Sequence, residues 1–268
     1  MGRLGKWAMY AVVALLVGMA VLPFALMVIT AIQATTRLEF TIRPELLTFD
    51  NFVRLFTTNN FGSALLTSSI VVVIAVVLNN IVSSLAAFGF AFKPFPGSKA
   101  VFWVYLATIM VPAQVTMIPM FILFRELGIL GGHLSLALPV INAFGVFLIR
   151  QFMASIPPSL LEAARIDGAS DLRIFLSIVV PAIKPVLVAL TVFTFLTTWN
   201  DFLWPLISLQ DGTRSTVTLA VSQLKGNFLT QYGMVMAGTT IAFLVPFIVY
   251  AVLQRQFVEG VTASGVKG

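Results

Sequence analysis

The chain has 268 residues, of which 59% are hydrophobic and only 10% are charged. This composition leaves too little polar surface to cover a folded chain in water, and a mean hydropathy of +1.01 agrees with that interpretation. The composition therefore excludes an ordinary soluble domain and favours an integral membrane protein.

The basic residues give a formal net charge of +6 but are scattered between apolar blocks. Such a distribution is typical of loops beside membrane spans and does not favour nucleic-acid binding. The sequence contains no cysteine, which excludes disulfides and thiolate metal sites. His133 is the single histidine, so we expect no metal cluster and no catalytic dyad.

Six apolar blocks are long enough to cross a hydrocarbon core of about 30 Å, which requires roughly 20 helical residues. Lipid offers the backbone no hydrogen-bond partner, so each block is predicted to be a helix. The predicted spans are residues 7–32, 64–92, 100–124, 134–152, 182–209 and 232–253. The sequence predicts an all-α membrane protein, with six transmembrane helices in a single domain over residues 1–268.

The distribution of lysine and arginine predicts how the spans are oriented. With the N-terminus in the cytoplasm, ten basic residues lie in cytoplasmic segments and six lie in outer segments. We therefore expect both termini in the cytoplasm and the polar segment 33–60 on the outer side.

The third predicted span contains two prolines, Pro112 and Pro119, on either side of Gln114. Proline frees backbone carbonyls and bends a helix. The bend either lines a gate or serves packing alone, and the sequence leaves both interpretations open.

A charged segment over residues 154–181 separates the fourth and fifth spans. Pro157 and Pro158 stop the preceding helix because proline cannot donate a backbone hydrogen bond. Ser159 and Glu162, three residues apart, predict a capping box at the start of a new helix.

This new helix is predicted over Leu160–Asp167, because Gly168 supplies a left-handed position that closes it. A helix of two turns is marginal alone and needs a surface to pack on. Ala163 and Ala164 permit close approach by such a surface. The helix either lies at the lipid headgroups or docks to a soluble partner.

The spacing of Glu162-Ala163-Ala164, Gly168 and Ile178-Val-Val180-Pro181 resembles the EAA motif in the cytoplasmic loop of ABC importer permeases. Val180 stands where that family has leucine. In the family this loop forms a coupling helix that lies in a cleft of an ATPase subunit. The resemblance implies an ATPase-coupling role for Glu162, Ala163, Ala164, Asp167, Gly168 and Pro181.

Two further stretches, Trp199-Asn-Asp-Phe-Leu-Trp-Pro-Leu206 and residues 254–268, resemble the MalG-like subunits of binding-protein-dependent sugar importers. The resemblance implies a type I ABC importer permease fold. It also implies as partners a second homologous permease subunit, two ABC ATPase subunits and an extracytoplasmic sugar-binding protein. The family's C-terminal tail reaches toward the ATPase, which implies that role for Gly260, Gly265 and Lys267.

Polar side chains inside the spans are candidates for a substrate pathway, because polar groups are unfavourable in lipid. An indole beside an amide and a carboxylate can hold a sugar by packing on its C–H face and bonding its hydroxyls. The alternative is that these groups only form hydrogen bonds between helices. The candidates are Trp199, Asn200, Asp201, Asn79, Asn80, Gln114 and Asn142.

The sequence has no Gly-x-x-x-x-Gly-Lys-[Ser/Thr] loop, so we expect no cofactor on this chain and ATP with Mg²⁺ on a partner ATPase. The expected function is that of a non-enzymatic permease subunit that imports a mono- or oligosaccharide across a bacterial or archaeal cytoplasmic membrane. One alternative is a glycerol-phosphate-type or other polyol substrate in the same family. Another is an ion-coupled carrier, which the single acid predicted inside a span supports poorly.

Overall fold

The computed structural model describes residues 3–210, 212, 214–225 and 231–265. Within these ranges the secondary structure is helical, and no β-strand is described beyond one isolated bridge between Gln33 and Leu47. The predicted all-α class is confirmed.

Three of the described helices are each long and apolar enough to cross a membrane without a break. They are α1 (Arg3–Ala31), α3 (Phe61–Phe92) and α14 (Tyr232–Gly265). These helices correspond to the first, second and sixth predicted spans.

The other predicted spans are pairs of shorter helices that meet at a sharp bend. The helices α4 (Ser98–Ala107) and α5 (Ala113–Glu126) meet at a bend of 103°. The helices α6 (His133–Ala137) and α7 (Ala143–Met153) meet at a bend of 49°. The third pair bends by 75° between Asp171–Ala182 and α11 (Lys184–Trp199). Up to six segments can therefore cross the membrane if each bent pair is one span.

The segment Asp171–Ala182 is a composite helix that follows the predicted coupling loop. Its parts are α9 (Asp171–Ile174), a π-helical turn (Phe175–Val179) and α10 (Val180–Ala182). The shorter helices elsewhere are α2 (Asp50–Thr57), α8 (Pro158–Ile166), α12 (Leu203–Ser208) and α13 (Val217–Gln223).

The bend predicted from Pro112 lies at that residue. Val111 is extended (φ −80°, ψ 118°), as expected for a residue that precedes proline. Pro119 lies inside α5 instead of at a break. The third span is therefore two helices joined at Pro112, not one curved helix.

The fifth span is shorter than predicted at its C-terminal end. Helix α11 stops at Trp199, and α12 begins only at Leu203, so the prediction of one helix over residues 182–209 is wrong. Asn200 and Asp201 lie in the link between the two helices. These polar residues therefore lie where the regular backbone is interrupted.

The described chain forms two compact units, the first comprising Met1–Leu65 and Val217–Val245. In this unit the Asn51 side-chain amide donates to the carbonyl oxygens of Ala31 and Gln33 at 2.8 and 2.9 Å. A Cβ on Gly233 would lie 2.2 Å from the same Gln33 oxygen. The start of α14 can approach the end of α1 this closely only because residue 233 is glycine.

The second unit comprises Leu66–Thr216 and Pro246–Gly268. Its apolar core joins α7, α8, the segment Asp171–Ala182 and α11. Core residues that are almost completely buried include Val146, Ile149, Met153, Leu161, Ile174, Val179 and Val186. This core therefore contains part of the predicted coupling loop.

We expect Gly145→Ala to destabilise the second unit. A Cβ at residue 145 would lie 2.5 Å from the Ser83 hydroxyl and 3.2 Å from the Asn79 amide oxygen, so either the hydrogen bond from Ser83 to Asn79 breaks or α3 and α7 separate. Overpacking of this kind costs about 1–3 kcal/mol. The measurement is the thermal unfolding midpoint of the purified protein in detergent.

Gly89→Ala is the matched control, because it adds the same methyl group to α3 with nothing within 4 Å. Its midpoint should stay unchanged or rise, since alanine is the better helix former. Equal midpoints for the two variants would contradict the close packing of α3 against α7.

Candidate functional site

Helix α8 lies where the coupling helix is predicted, but it begins differently. Pro157 is the N-cap and Pro158 the first helical residue, and no side chain caps the helix. The predicted capping box of Ser159 and Glu162 is therefore wrong. Proline suits the first helical position because its missing N–H would have no partner there, so the helix starts earlier than predicted.

The end of α8 has the predicted left-handed glycine. Gly168 has φ +79°, and its N–H donates to the Arg165 carbonyl at 3.0 Å. The Ala169 N–H donates to the Ala164 carbonyl at 2.9 Å. These two bonds form a Schellman motif, which satisfies the last carbonyls of the helix and turns the chain sharply.

One side of α8 is anchored in the protein and the other is free. Leu161 is buried in the core of the second unit, and Ala164 packs against that core. Glu162 and Ala163 are exposed, and the apolar side chain of Ile166 is 86% exposed. The helix thus presents small, charged and apolar groups on a surface that remains open in this chain.

A cavity of about 370 Å³ lies beside α8 and is lined by Glu162, Arg165 and Arg150 among other residues. The Arg150 guanidinium lies 4.3 Å from the centre of the Phe102 ring, a cation–π contact. The cationic side chains of Arg150 and Arg165 therefore lie at this cavity beside α8.

The chain continues from α8 directly into the bent fifth span. Ser170 caps α9, since its hydroxyl accepts from the Arg173 N–H at 3.4 Å. Asp171 forms an ion pair with Lys93 at the end of α3, with 2.6 Å between Oδ2 and Nζ. Pro181 lies in α10, next to the 75° bend into α11.

A second cavity, of about 340 Å³, lies among the bent helices. Its lining includes residues at two of the three bends and in the link that follows α11. These are Ala113 and Gln114 after the first bend, Pro139, Val140 and Asn142 at the second, and Asp201, Leu203 and Trp204 after α11. Thr194 and Thr197 of α11 complete the polar part of its wall.

Four predicted pathway residues, Gln114, Asn142, Asp201 and Asn79, line this cavity. Asn79 is only 2% exposed and donates to the Thr194 hydroxyl at 2.9 Å. The Asn142 side chain accepts from the Phe144 N–H at 3.0 Å and caps α7. One part of the cavity wall is thus polar and consists of amides and hydroxyls held by hydrogen bonds.

Three predicted pathway residues, Trp199, Asn200 and Asn80, are not part of the lining. The Trp199 indole is 2% exposed and stacks on Phe195, with ring centres 5.8 Å apart. The Asn200 amide donates to the Leu196 carbonyl at 2.8 Å. Asn80 donates to the Thr191 hydroxyl at 3.0 Å, a hydrogen bond between α3 and α11.

Trp204 is one of the lining residues that the sequence analysis missed. Its Nε1–H donates to the Ser135 carbonyl at 2.7 Å, and its ring packs edge-on to Phe124 at 5.9 Å. Both contacts fix the indole at the cavity wall. The signal was present in the sequence, since Trp204 belongs to the same motif as Trp199, but the helix break between them was not predicted.

Among the described residues that line the cavity, few are charged. Asp201 is the one carboxylate among the described residues that line it, and no lysine or arginine is among them. The Asp201 carboxylate accepts from the Trp204 N–H at 3.4 Å, at the start of α12. The wall therefore offers hydrogen-bond donors and acceptors but no positive charge.

The predicted C-terminal tail is described only in part. Helix α14 continues to Gly265, so Gly260 and Gly265 have helical backbone. Lys267 lies outside the described residues. The direction of the tail toward an ATPase stays a prediction.

Comparison with solved structures supports the fold. A bacterial ABC transporter involved in the import of the acidic polysaccharide alginate has a TM-score of 0.83, at 22% identity, over 95% of this chain and 97% of that chain. A second structure, of an alginate ABC transporter in complex with an alginate pentasaccharide-bound periplasmic protein, has a TM-score of 0.68 at 18% identity.

Comparison with curated sequences gives relatives over most of the chain. The lactose transport system permease LacG of Rhizobium radiobacter is 35% identical over 98% of this chain and 97% of its own length. The arabinooligosaccharides permease AraQ of Bacillus subtilis is 33% identical over 86% of this chain and 83% of its own length. The sn-glycerol-3-phosphate permease UgpE of Pectobacterium atrosepticum is 36% identical over 77% and 75%.

The family described as "Binding-protein-dependent transport system inner membrane component" matches residues 79–262, which include α8 and the cavity wall. That match covers more than half of the chain, and the similarity to the permeases extends along nearly all of it. This protein therefore belongs to the family of inner membrane permease components of binding-protein-dependent ABC importers.

Proposed function

We propose that this permease imports a neutral sugar, and that the cavity among its broken helices forms part of the path. The observation that carries this proposal is the composition of the cavity wall, where amides, hydroxyls and apolar side chains such as Met117, Met120 and Phe193 line about 340 Å³. Such a wall suits a sugar, since the polar groups bond its hydroxyls and the apolar side chains pack on its C–H face.

The charge of the wall favours a neutral sugar over a phosphorylated polyol. The relatives are named for lactose, arabino-oligosaccharides and sn-glycerol 3-phosphate, so their names leave both classes open. A phosphate in this cavity would meet the Asp201 carboxylate and no lining lysine or arginine. Like charges in a partly dehydrated site repel strongly. A neutral mono- or oligosaccharide avoids this repulsion.

The energy for transport comes from a separate ATPase in this proposal. The exposed side of α8, with Glu162, Ala163 and Ile166, is the docking surface for that subunit. ATP and Mg²⁺ bind to the ATPase subunit and not to this chain, since the sequence has no phosphate-binding loop. Two ATPase subunits and a second, homologous permease complete the assembly.

An extracytoplasmic binding protein delivers the sugar from the other side of the membrane. The family is defined by dependence on such a protein, and one structural relative is in complex with a ligand-bound periplasmic protein. The chain resides in the cytoplasmic membrane of a bacterium or archaeon. Both termini and α8 face the cytoplasm, because this orientation puts ten of the sixteen basic residues inside.

The proposed coupling path is contiguous in the second unit. Movement of α8 is transmitted through buried Leu161 to the core and through Asp171–Ala182 to α11. Thr194 and Thr197 of α11 line the cavity, so a change in the 75° bend alters its wall. The ATPase shifts the balance between two states of the permease through its different affinity for each.

We expect Gly168→Val to reduce sugar uptake while the protein still inserts into the membrane. Valine at φ +79° costs roughly 1–2 kcal/mol, so the chain after α8 leaves in a different direction. The measurement is uptake of radiolabelled sugar by cells, normalised to the amount of permease in the membrane.

Gly168→Asn is the matched control, because asparagine tolerates the left-handed region. It should retain most of the uptake that valine removes. Wild-type uptake in the valine variant would exclude α8 as the coupling element.

Two substitutions separate the cavity wall from the surrounding packing. Gln114→Leu should lower uptake of the neutral sugar without changing the unfolding midpoint, because Gln114 is exposed and lines the cavity. Trp199→Ala should instead lower stability by about 3–5 kcal/mol, as expected for a deeply buried aromatic residue. Sugar-stimulated ATPase activity of the assembled transporter and its thermal unfolding are measured for both.

Thr116→Val is the control for the first variant, since Thr116 is in the same helix and outside the lining. Its uptake should equal that of the wild type. Unchanged uptake for Gln114→Leu, or stimulation by glycerol 3-phosphate and by none of a panel of neutral sugars, would contradict the proposed pathway.

A further inference from the structure

Helix α2 is held at the ends of two membrane-crossing helices in the first unit. At its start, the Asn51 amide donates to the carbonyl of Ala31, the last residue of α1, at 2.8 Å. At its end, residues 58–60 separate Thr57 from the start of α3 at Phe61. A link of that length spans at most about 14 Å. Helix α2 therefore lies near the membrane surface on which α1 ends and α3 begins.

The surface of α2 is divided into three faces. Asn51 and Leu55 are buried against the protein. Asp50, Arg54 and Thr57 form an exposed polar face. The third face is apolar and exposed.

That apolar face consists of Phe49, Val53 and Phe56, which are 75%, 54% and 50% exposed. Residues separated by four and seven positions lie on one side of a helix, so the three side chains form a continuous strip. A strip of large apolar side chains that is open to water is unfavourable. A partner surface is therefore required to cover it.

Contacts at the end of the strip lead to the membrane-crossing helix itself. The Phe56 ring packs edge-on to Phe61 with ring centres 6.3 Å apart, and Phe61 is the first residue of α3. A Cβ on Gly62 would lie 3.5 Å from the Phe56 ring. The strip is therefore continuous with the first turn of a helix that enters lipid.

The segment before α2 also exposes large apolar side chains. They are Leu38, Phe40, Ile42 and Leu47. Arg37 and Arg54 are exposed between and beside them. Arg43 is exposed but forms an ion pair with Glu39 at 3.5 Å. Aromatic and aliphatic groups mixed with arginine are typical of a surface in the headgroup region, where the apolar parts enter lipid and the cations contact phosphates.

We propose that Phe49, Val53 and Phe56 insert into the lipid at the membrane surface, so that α2 is an interfacial anchor. The anchor fixes the outer ends of α1 and α3 relative to the bilayer through Asn51 and Phe56. The partner is the phospholipid surface and not another protein. The position of α2 at two helix ends and the arginines beside its apolar strip favour lipid.

The experiment uses the absence of cysteine from this chain. Val53→Cys and Arg54→Cys are each labelled with a nitroxide in the complete transporter, reconstituted into phospholipid nanodiscs with any partner cysteines replaced. Collisions of the label with lipid-soluble oxygen and with a water-soluble nickel complex are measured by electron paramagnetic resonance. Val53 is chosen over Phe56 because it is more exposed and makes no ring contact with α3.

We expect the label at residue 53 to collide mainly with oxygen and the label at residue 54, on the polar face, to collide mainly with the nickel complex. Equal access of the nickel complex to both positions would overturn the proposal, since the strip would then face water. Exclusion of both reagents from residue 53 would also overturn it, because a protein surface would then cover the strip. Retained uptake by both labelled variants verifies that they are folded.

Discussion

The structure depends on the inability of lipid to hydrogen-bond with an exposed backbone. Three helices are long and apolar enough to cross a membrane without a break, whereas three other predicted spans bend sharply within their length. An interruption within a membrane is stable only where protein or a polar cavity takes up the freed groups. Two of the three bends, together with the link that follows α11, contribute residues to one cavity, whose wall includes Gln114, Asn142 and Asp201. The cavity therefore lies where the regular helical backbone is broken.

The proposed response of this permease to a separate ATPase depends on the bent fifth span. The segment Asp171–Ala182 begins beside α8 and ends at the bend into α11, which forms part of the cavity wall. Leu161 anchors α8 in the core, and Gly168 sets the direction in which the chain leaves it. Packed cores change between discrete arrangements and do not deform continuously. A displacement of α8 can thus be transmitted through these contacts to the cavity wall.

Much of this was predictable from the sequence, and what was not has identifiable physical causes. Apolar length predicted where the long apolar helices lie, and Gly168 predicted the end of α8, because both signals are local. The start of α8 was mispredicted because Pro158 competes with Ser159 for the first turn. Trp199 was favoured over Trp204 because the end of α11 depends on tertiary packing, which buries both indoles but places only Trp204 in the cavity wall.

The central claim is that this chain provides a path but no energy of its own. Its most direct test is sugar accumulation by proteoliposomes that contain either this chain alone or the complete transporter with its binding protein. The account predicts accumulation only with the complete transporter and hydrolysable ATP, and none when a non-hydrolysable analogue replaces ATP. Accumulation of sugar against a gradient by this chain alone would contradict it.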